Sequence, residues 1–471
     1  MIDYTLPACV ALLLGLLAVR YSPWMLFSLL LLVPIIKIVL TAYIPALQII
    51  DPTPVACSAI GLAALWKWHR LRHNGNPVEI PWLMLCGLGT LGTMMIIGLE
   101  WSTAPDYGFR KAFRFCGIGI PFLLLPTFLI RERQDVAEFG RSILVAALVT
   151  TILIILFPQS ELSVETYGET YARATPLGSD PIQPAVLAGM GVLVAIAFLL
   201  SGRLSRAKKI FTIAFILTAP LAIMMSGTRS VLVGLALPVA ILCAAFLRIS
   251  FLKASLFAAC CIAASFLLFD FVAEITPNLD DRWSSFFLAW REGNLEILFE
   301  ERWPHYQFCL SNWHLYPILG HGTGSFAGDF FGVDTPGWPH NMILEALYEW
   351  GFVGATGLVL FFVGAFIAAI KAYRISSSKG DRQSETAMLL AFTGILVFYT
   401  IHGMVHSDLD SMRTMFLMAG GLQAGMAIVS RRTVAHEGAT TRETVLSHVF
   451  DENGHVPVWP PISGGDGVHE S

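Results

Sequence analysis

Charge in this chain is confined to short clusters, and between them run apolar stretches of roughly 15 to 23 residues. That is the length needed to cross about 30 Å of hydrocarbon at 1.5 Å rise per residue. Lipid offers the backbone no hydrogen-bond partner, so runs of this kind must satisfy themselves as helices. With only 14% charged residues, 55% hydrophobic residues and a mean hydropathy of +0.66, the composition lies outside that of a soluble domain. The expectation is an all-α, polytopic transmembrane bundle.

Spans are expected near 5–19, 23–40, 52–66, 81–99, 115–130, 143–158, 185–200, 210–226, 231–247, 256–273, 351–372, 386–404 and 415–430. Arg20 and Tyr21 barely separate the first two, and Lys37 interrupts the second, so the count is twelve or thirteen. Basic residues in short loops set the orientation. Of the 30 Lys and Arg, 20 fall in one alternating set of connections and nine in the other, the nine including Arg110, Lys111, Arg114, Arg173, Arg229 and Arg302. The first set is expected to be cytoplasmic. The polar loops 159–184 and 274–350 then face outward, which in a bacterium means the periplasm of the inner membrane. The organisation that follows is helices over 1–273, an outer loop with short helices over 274–350, helices over 351–430, and a disordered cytoplasmic tail over 431–471. The N-terminus lacks the basic residue and the small-residue site of a cleavable signal.

Seven of the eight cysteines lie in or beside apolar runs, with Cys309 alone in an outer loop. No CxxC, His/Cys metal spacing, Walker loop or GxSxG occurs, which removes most support for ATP-driven and metal-hydrolase chemistry. No metal, cofactor or nucleic acid is expected.

Chemistry, if any, sits in the outer loop. "HYQFCLSNWHLY" reads as a short interfacial helix closed by Pro317 and the glycines of "GHGTGSF". That Gly-rich stretch resembles a phosphate cradle only loosely, and a plain turn is the better reading. His340 precedes a helix expected to begin near Asn341, and Glu345 and Glu349 share one face of it near its outer end. All three can simply solvate the membrane interface. Alternatively the imidazole is a general base, or a donor polarising a hydroxyl. Arg229, in "MMSGTRSVLVG", joins two apolar runs through a turn of about five residues. A guanidinium there either snorkels to lipid phosphate or binds an anionic substrate group. Arg173, in "YARATPLGSDPIQPAVLAG", sits similarly before the next helix. Arginines and a histidine without an ATP or metal motif suit a substrate that carries its own activation, such as a lipid-linked diphosphate.

Four stretches, "RATPLGSDPIQPAVLAGMG" (173–191), "SGTRSVLVG" (226–234), "ERWPHYQF…YPILGHGTGSF" (301–326) and "HNMILEALYEWGFVG" (340–354), together resemble the bacterial O-antigen ligase and polymerase superfamily. These are polytopic glycosyltransferases using undecaprenyl-diphosphate-linked glycans. The resemblance, over about residues 105–430, implies a GT-C-like bundle with an outer cleft and metal-independent chemistry. It implies that Arg173 and Arg229 bind the diphosphate and that His340 acts on the acceptor hydroxyl. Arg302 matches the arginine before the family's P-x-x-G-x-G turn, here Pro317, Gly320 and Gly322, and Asn341, Glu345, Gly320 and Gly322 would support the site. His321, between the glycines, departs from the commoner small residue and has no assigned role. His305, His314, His402 and His406 are the alternative histidines.

The implied partners are a lipid-linked donor glycan, an acceptor glycan or glycolipid, and membrane lipid. A polymerase joining one lipid-linked repeat to another is the nearest rival to a ligase. Nine loop carboxylates between Glu274 and His340 would repel a phosphorylated acceptor, which leans away from a phosphorylated lipid A-core. A transporter of an anion or lipid-linked sugar is the rival from another class, disfavoured because the chain has no internal repeat.

Overall fold

The computed structural model describes residues 52–72, 78–156, 158–164, 170–176, 182–202, 204–247, 302–378, 384–405 and 408–430, with isolated positions within 24–36 and 252–291. Most of the expected spans 5–19, 23–40 and 256–273, much of the loop 274–301, and the tail 431–471 lie outside the described residues.

The described chain is a helical membrane bundle. Its long helices are α1 (Pro52–Arg72), α2 (Trp82–Ile97, continued by a 3-10 turn to Trp101), α3 (Pro105–Leu129, through a π turn), α4 (Arg133–Leu156), α5 (Ile182–Leu200), α6 (Arg206–Met225) and α7 (Arg229–Leu247). After a long loop, which carries α8 (Trp303–Asn312), come α9 (Met342–Ser378), α10 (Ser384–Gly403) and α11 (413–430). Among the described residues seven helices are long and apolar enough to span a membrane, and Ser230–Ala245 is a shorter apolar one. Leu62, Ile97, Phe113, Leu156, Leu217 and Phe366 all point outward, the pattern of helices whose outer faces meet lipid rather than water. α2 and α9 touch backbone to backbone. A Cβ on Gly87 would lie 2.5 Å from Gly357 O and one on Gly357 2.8 Å from Gly87 O, so small residues set this approach.

Two expectations change here. The loop 159–184 carries an antiparallel hairpin, β1 (Pro158–Val164) with β2 (Thr170–Pro176), in which Glu161 is the register partner of Arg173. Alternation in "SELSV" and the β-formers of "TYARATP" are the signals for it. The span expected at 115–130 begins ten residues earlier, because Tyr107, Gly108, Lys111 and Ala112 form a buried face of α3 while the charged Arg110 and Arg114 project from it.

The loop before α9 and α9 itself are built around one break. Gly351 has φ 58° and ψ −157° in the middle of α9, which only glycine adopts without strain. The break frees the carbonyls of Tyr348 and Glu349 and the amides of Phe352 and Val353. The Gly-rich loop takes up all four. His321 N–H donates to Tyr348 O and Gly322 N–H to Glu349 O, both at 2.9 Å, while Phe352 N–H and Val353 N–H donate to Pro317 O and Ile318 O at 2.8 and 3.2 Å. Non-helical backbone near a membrane persists only with such partners. A Cβ at Gly351 would stand 2.5 Å from Ile318 O and 2.7 Å from Gly320 N. Gly351→Ala is therefore expected to destabilise the fold by at least about 1–3 kcal/mol from backbone strain alone, read as a lower melting temperature of the detergent-purified protein. An unchanged melting temperature would mean the loop and helix do not dock this way.

At the far end of α3 a single lysine joins a carboxylate and a backbone carbonyl. Lys67 Nζ lies 2.8 Å from Asp135 and 2.9 Å from Leu129 O, while Asp135 also accepts the amides of Arg131 and Glu132.

Candidate functional site

At the near end of α3 the chain buries a cation between two carboxylates. Lys111 Nζ is 2.5 Å from Glu345 Oε1 and 2.7 Å from Glu349 Oε2, and all three side chains are fully buried. Lys111 was expected on the outer surface, and Glu345 and Glu349 at the water interface; the structure corrects both placements. The i, i+4 spacing put the two glutamates on one face, and that face turns inward onto α3. The remaining contacts are equally specific. Glu345 Oε2 accepts Leu409 N–H at 2.9 Å, and Glu349 Oε2 accepts Gly324 N–H at 3.0 Å. Glu349 Oε1 has no hydrogen-bond partner among the described residues.

The Gly-rich loop is a strap, not a phosphate cradle. Every amide from Gly320 to Ser325 is already engaged: with Tyr316 O, Tyr348 O, Glu349 O, Gly98 O, Glu349 Oε2 and Gly322 O in turn. None is left for an anion. Gly320 and Gly322 have φ 75° and 105°, and a Cβ on Gly320 would strike Glu349 and Trp350 backbone, so both serve the strap's path across the break.

The short helix before Gly351 is fixed at its start by Asn341. Its Oδ1 accepts the amides of Ile343 and Leu344 at 3.0 Å, an N-cap, while its Nδ2 donates to Met404 O at 3.0 Å. Directly before this cap stands His340, the one non-glycine among the described residues with positive φ, at 57°. Backbone strain of that kind concentrates at functional sites. Trp338 Nε1–H donates to His340 Nδ1 at 3.1 Å. That bond occupies the Nδ1 lone pair, so the neutral ring carries its proton on Nε2. His340 is thereby set up as a donor; acting as a base would require it to leave Trp338.

His305 stacks on His340, with ring centroids 5.6 Å apart and planes at 16°. Burial, with help from the Arg302 charge, holds the His305 imidazole below its ordinary pKa, so it is neutral at physiological pH. The same cause places Arg302, at the start of α8, within electrostatic reach of the two-histidine stack. Of the other histidines, His314 is exposed in a 3-10 turn, His402 is buried in α10, and His406 lies outside the described residues. Arg229 is the first residue of α7 and Arg173 sits on β2; their side chains lie outside the described residues. Of the rest of the expected set, Arg302 and Asn341 stand near His340, Glu345 lies in the Lys111 cluster, and Gly320 and Gly322 dock at the Glu349–Trp350 end of the same short helix.

His321 now has surroundings. Its ring stacks on Tyr348 at 4.1 Å and 6°, its Nε2 lies 3.1 Å from Asn312 O, and its Nδ1 lies 3.5 Å from Asp329, which also accepts Tyr348 O–H at 2.8 Å. Burial would raise the Asp329 carboxyl, but hydrogen bonds from His321, Tyr348 and Thr103 outweigh it and hold it below the usual carboxylate range. Asp334 accepts the Asp106 and Tyr107 amides at 2.9 and 2.7 Å, capping α3. Two of the loop carboxylates expected to repel a phosphorylated acceptor thus already accept hydrogen bonds from the protein itself.

A search of curated proteins finds no match. Residues 213–362, from within α6 past the break in α9, match the family model described as O-antigen ligase. The matched segment contains Arg229, Arg302, the glycine strap, His340, Asn341 and Gly351, and this match, set in a helical membrane bundle, supports the likeness to the O-antigen ligase superfamily.

Proposed function

We propose that the protein transfers a glycan from an undecaprenyl-diphosphate carrier to the hydroxyl of an acceptor glycan or glycolipid, at the periplasmic face of the bacterial inner membrane. The observation that carries this reading is His340: a strained, half-buried imidazole held between Trp338 and a capped helix, stacked on His305 near Arg302. In such a transfer the acceptor oxygen bonds to the anomeric carbon as that carbon's bond to the diphosphate breaks, and the hydroxyl proton passes to the departing diphosphate, directly or through the imidazole. Negative charge builds on the phosphate oxygens, where guanidinium forks and an imidazole N–H are the stabilising groups. Arg302, Arg229 and Arg173 are the proposed diphosphate ligands. Asn341 and Glu345 hold the helix behind His340, and Gly320 and Gly322 shape the strap that docks at that helix's far end. Transfer between two lipid-linked repeats, as in a polymerase, uses the same machinery with a different acceptor.

The test is the purified protein supplied with a polyprenyl-diphosphate glycan and an acceptor, with released polyprenyl diphosphate as the readout. Release is expected to persist at its full rate in excess EDTA, because the arginines supply the positive charge that a metal would otherwise bring. A loss on chelation restored by one specific cation would overturn the metal-independent account. Arg229→Lys is expected to weaken donor binding about tenfold or more, since lysine keeps the charge but loses the planar fork. Wild-type donor affinity and rate in that variant would make Arg229 an anchor to lipid phosphate.

A further inference from the structure

On the other side of the turn 327–331 from the two-histidine stack lies a cavity of about 570 Å³, within the roughly 300–1,000 Å³ of small-molecule sites. One five-residue turn serves both sides: Phe330 and Phe331 pack edge-on against His305, and Asp329 faces the cavity. Two aromatic side chains line it, and both are oriented by the protein. Trp101 donates its indole N–H to Gly320 O at 3.2 Å, and Tyr316 meets His321 edge-on at 4.8 Å and 80°. Both rings remain substantially exposed. The polar lining is Thr103, His321 and Asp329. The rim, with Leu315, Ile318 and Leu319 exposed, is apolar in the way of a surface that meets the headgroup boundary.

Fixed aromatic faces beside a carboxylate are the chemistry of sugar recognition. A pyranose presents an apolar C–H face that stacks on an aromatic ring, and hydroxyls that donate strong hydrogen bonds to an ionised carboxylate. A hydrocarbon tail would find no use for Asp329 and His321. We propose that the cavity formed by Trp101, Tyr316, His321 and Asp329 is a sugar-ring site, which, resting on the glycosyl-transfer reading above, seats one ring of the donor or acceptor glycan beside the reacting centre.

The experiment is ligand-observed NMR on the nanodisc-embedded protein with free glucose, galactose, mannose and N-acetylglucosamine, followed by steady-state transfer assays. At least one sugar is expected to bind, and Trp101→Ala and Asp329→Asn are each expected to weaken it about tenfold or more. Trp101→Phe, which keeps an aromatic face, and the exposed-site variant Tyr316→Ala guard against a simple folding defect: the first should retain most of the binding and the second lose it. A rise in KM for the donor alone identifies the ring as the donor's, and a rise for the acceptor alone as the acceptor's. Absence of binding by wild type, binding indifferent to these substitutions, or displacement by farnesol would overturn the proposal, the last identifying a lipid groove. Sugar binding that fails in the variants, in a protein that never releases polyprenyl diphosphate, would leave the site standing and remove the transfer reaction.

Discussion

Lys111→Met is expected to destabilise the protein by about 3–5 kcal/mol, the range for removing one partner of a buried ion pair. The substitution nearly preserves the volume of the stem, so little of the loss comes from packing. What remains is two carboxyls, on adjacent turns of one helix, facing a site from which water is excluded. Lys111 Nζ sits within 2.7 Å of both, and also over the rings of Trp350 and Tyr107 at 5.1 and 5.7 Å, where cation–π attraction adds a smaller amount. The consequence reaches beyond α3. Glu349 Oε2 is shared between Lys111 and the Gly324 amide, and Glu345 Oε2 holds the Leu409 amide, so losing the lysine loosens the strap and the 408–412 turn together. Thermal melts of Lys111→Met, Glu349→Gln and the double variant form a cycle. The double variant should melt above Lys111→Met, because the substitution removes one of the two uncompensated charges. If Lys111→Met melts like wild type, the three side chains are not the buried cluster described here.

Why this cluster escaped the sequence while so much else did not is a matter of which information is local. The apolar runs that fall among the described residues, the short helix at 303–312, the start of a helix after Asn341 and the turn character of "GHGTGSF" all follow from composition, capping and glycine placement, and each stands in the structure. Lys111 lies between Arg110 and Arg114, and a basic triplet before an apolar run reads as a surface cluster. Its exception status depends on α9, more than 200 residues away. Glu345 and Glu349 could be placed on one face but not told which way that face turns, since an acidic face at a helix end is more often solvated. The break at Gly351 is a similar case. "EWGFVG" looks continuous because nothing local reports that four backbone groups are satisfied by residues 317–322. His321 had no reading for the same reason: its partners, Tyr348, Asp329 and Asn312, come together only once the strap is docked. The hairpin was legible in principle, its alternation outweighed by the loop's polarity.

His340→Ala is expected to lower transfer by about 10²–10⁴-fold, the contribution typical of a positioned proton-handling group, with expression and membrane insertion intact. The residue's left-handed backbone complicates a single comparison. An alanine at φ 57° carries about 1–2 kcal/mol of strain, so His340→Gly, which relieves it, is the control: both variants should be inactive if the ring matters, and only the alanine variant should be impaired if the backbone does. The Trp338 bond to Nδ1 then supplies a sharper distinction. If the imidazole works as a donor from Nε2, His340→Gln can present an N–H of similar reach and should retain measurable turnover with a flat pH profile through neutrality. If it works as a base, glutamine cannot accept a proton and should be as inactive as glycine, while Trp338→Phe, by releasing Nδ1, should raise the rate. Near-normal turnover in both His340→Gly and His340→Ala would remove His340 from the chemistry and leave His305, stacked against it, as the residue to test.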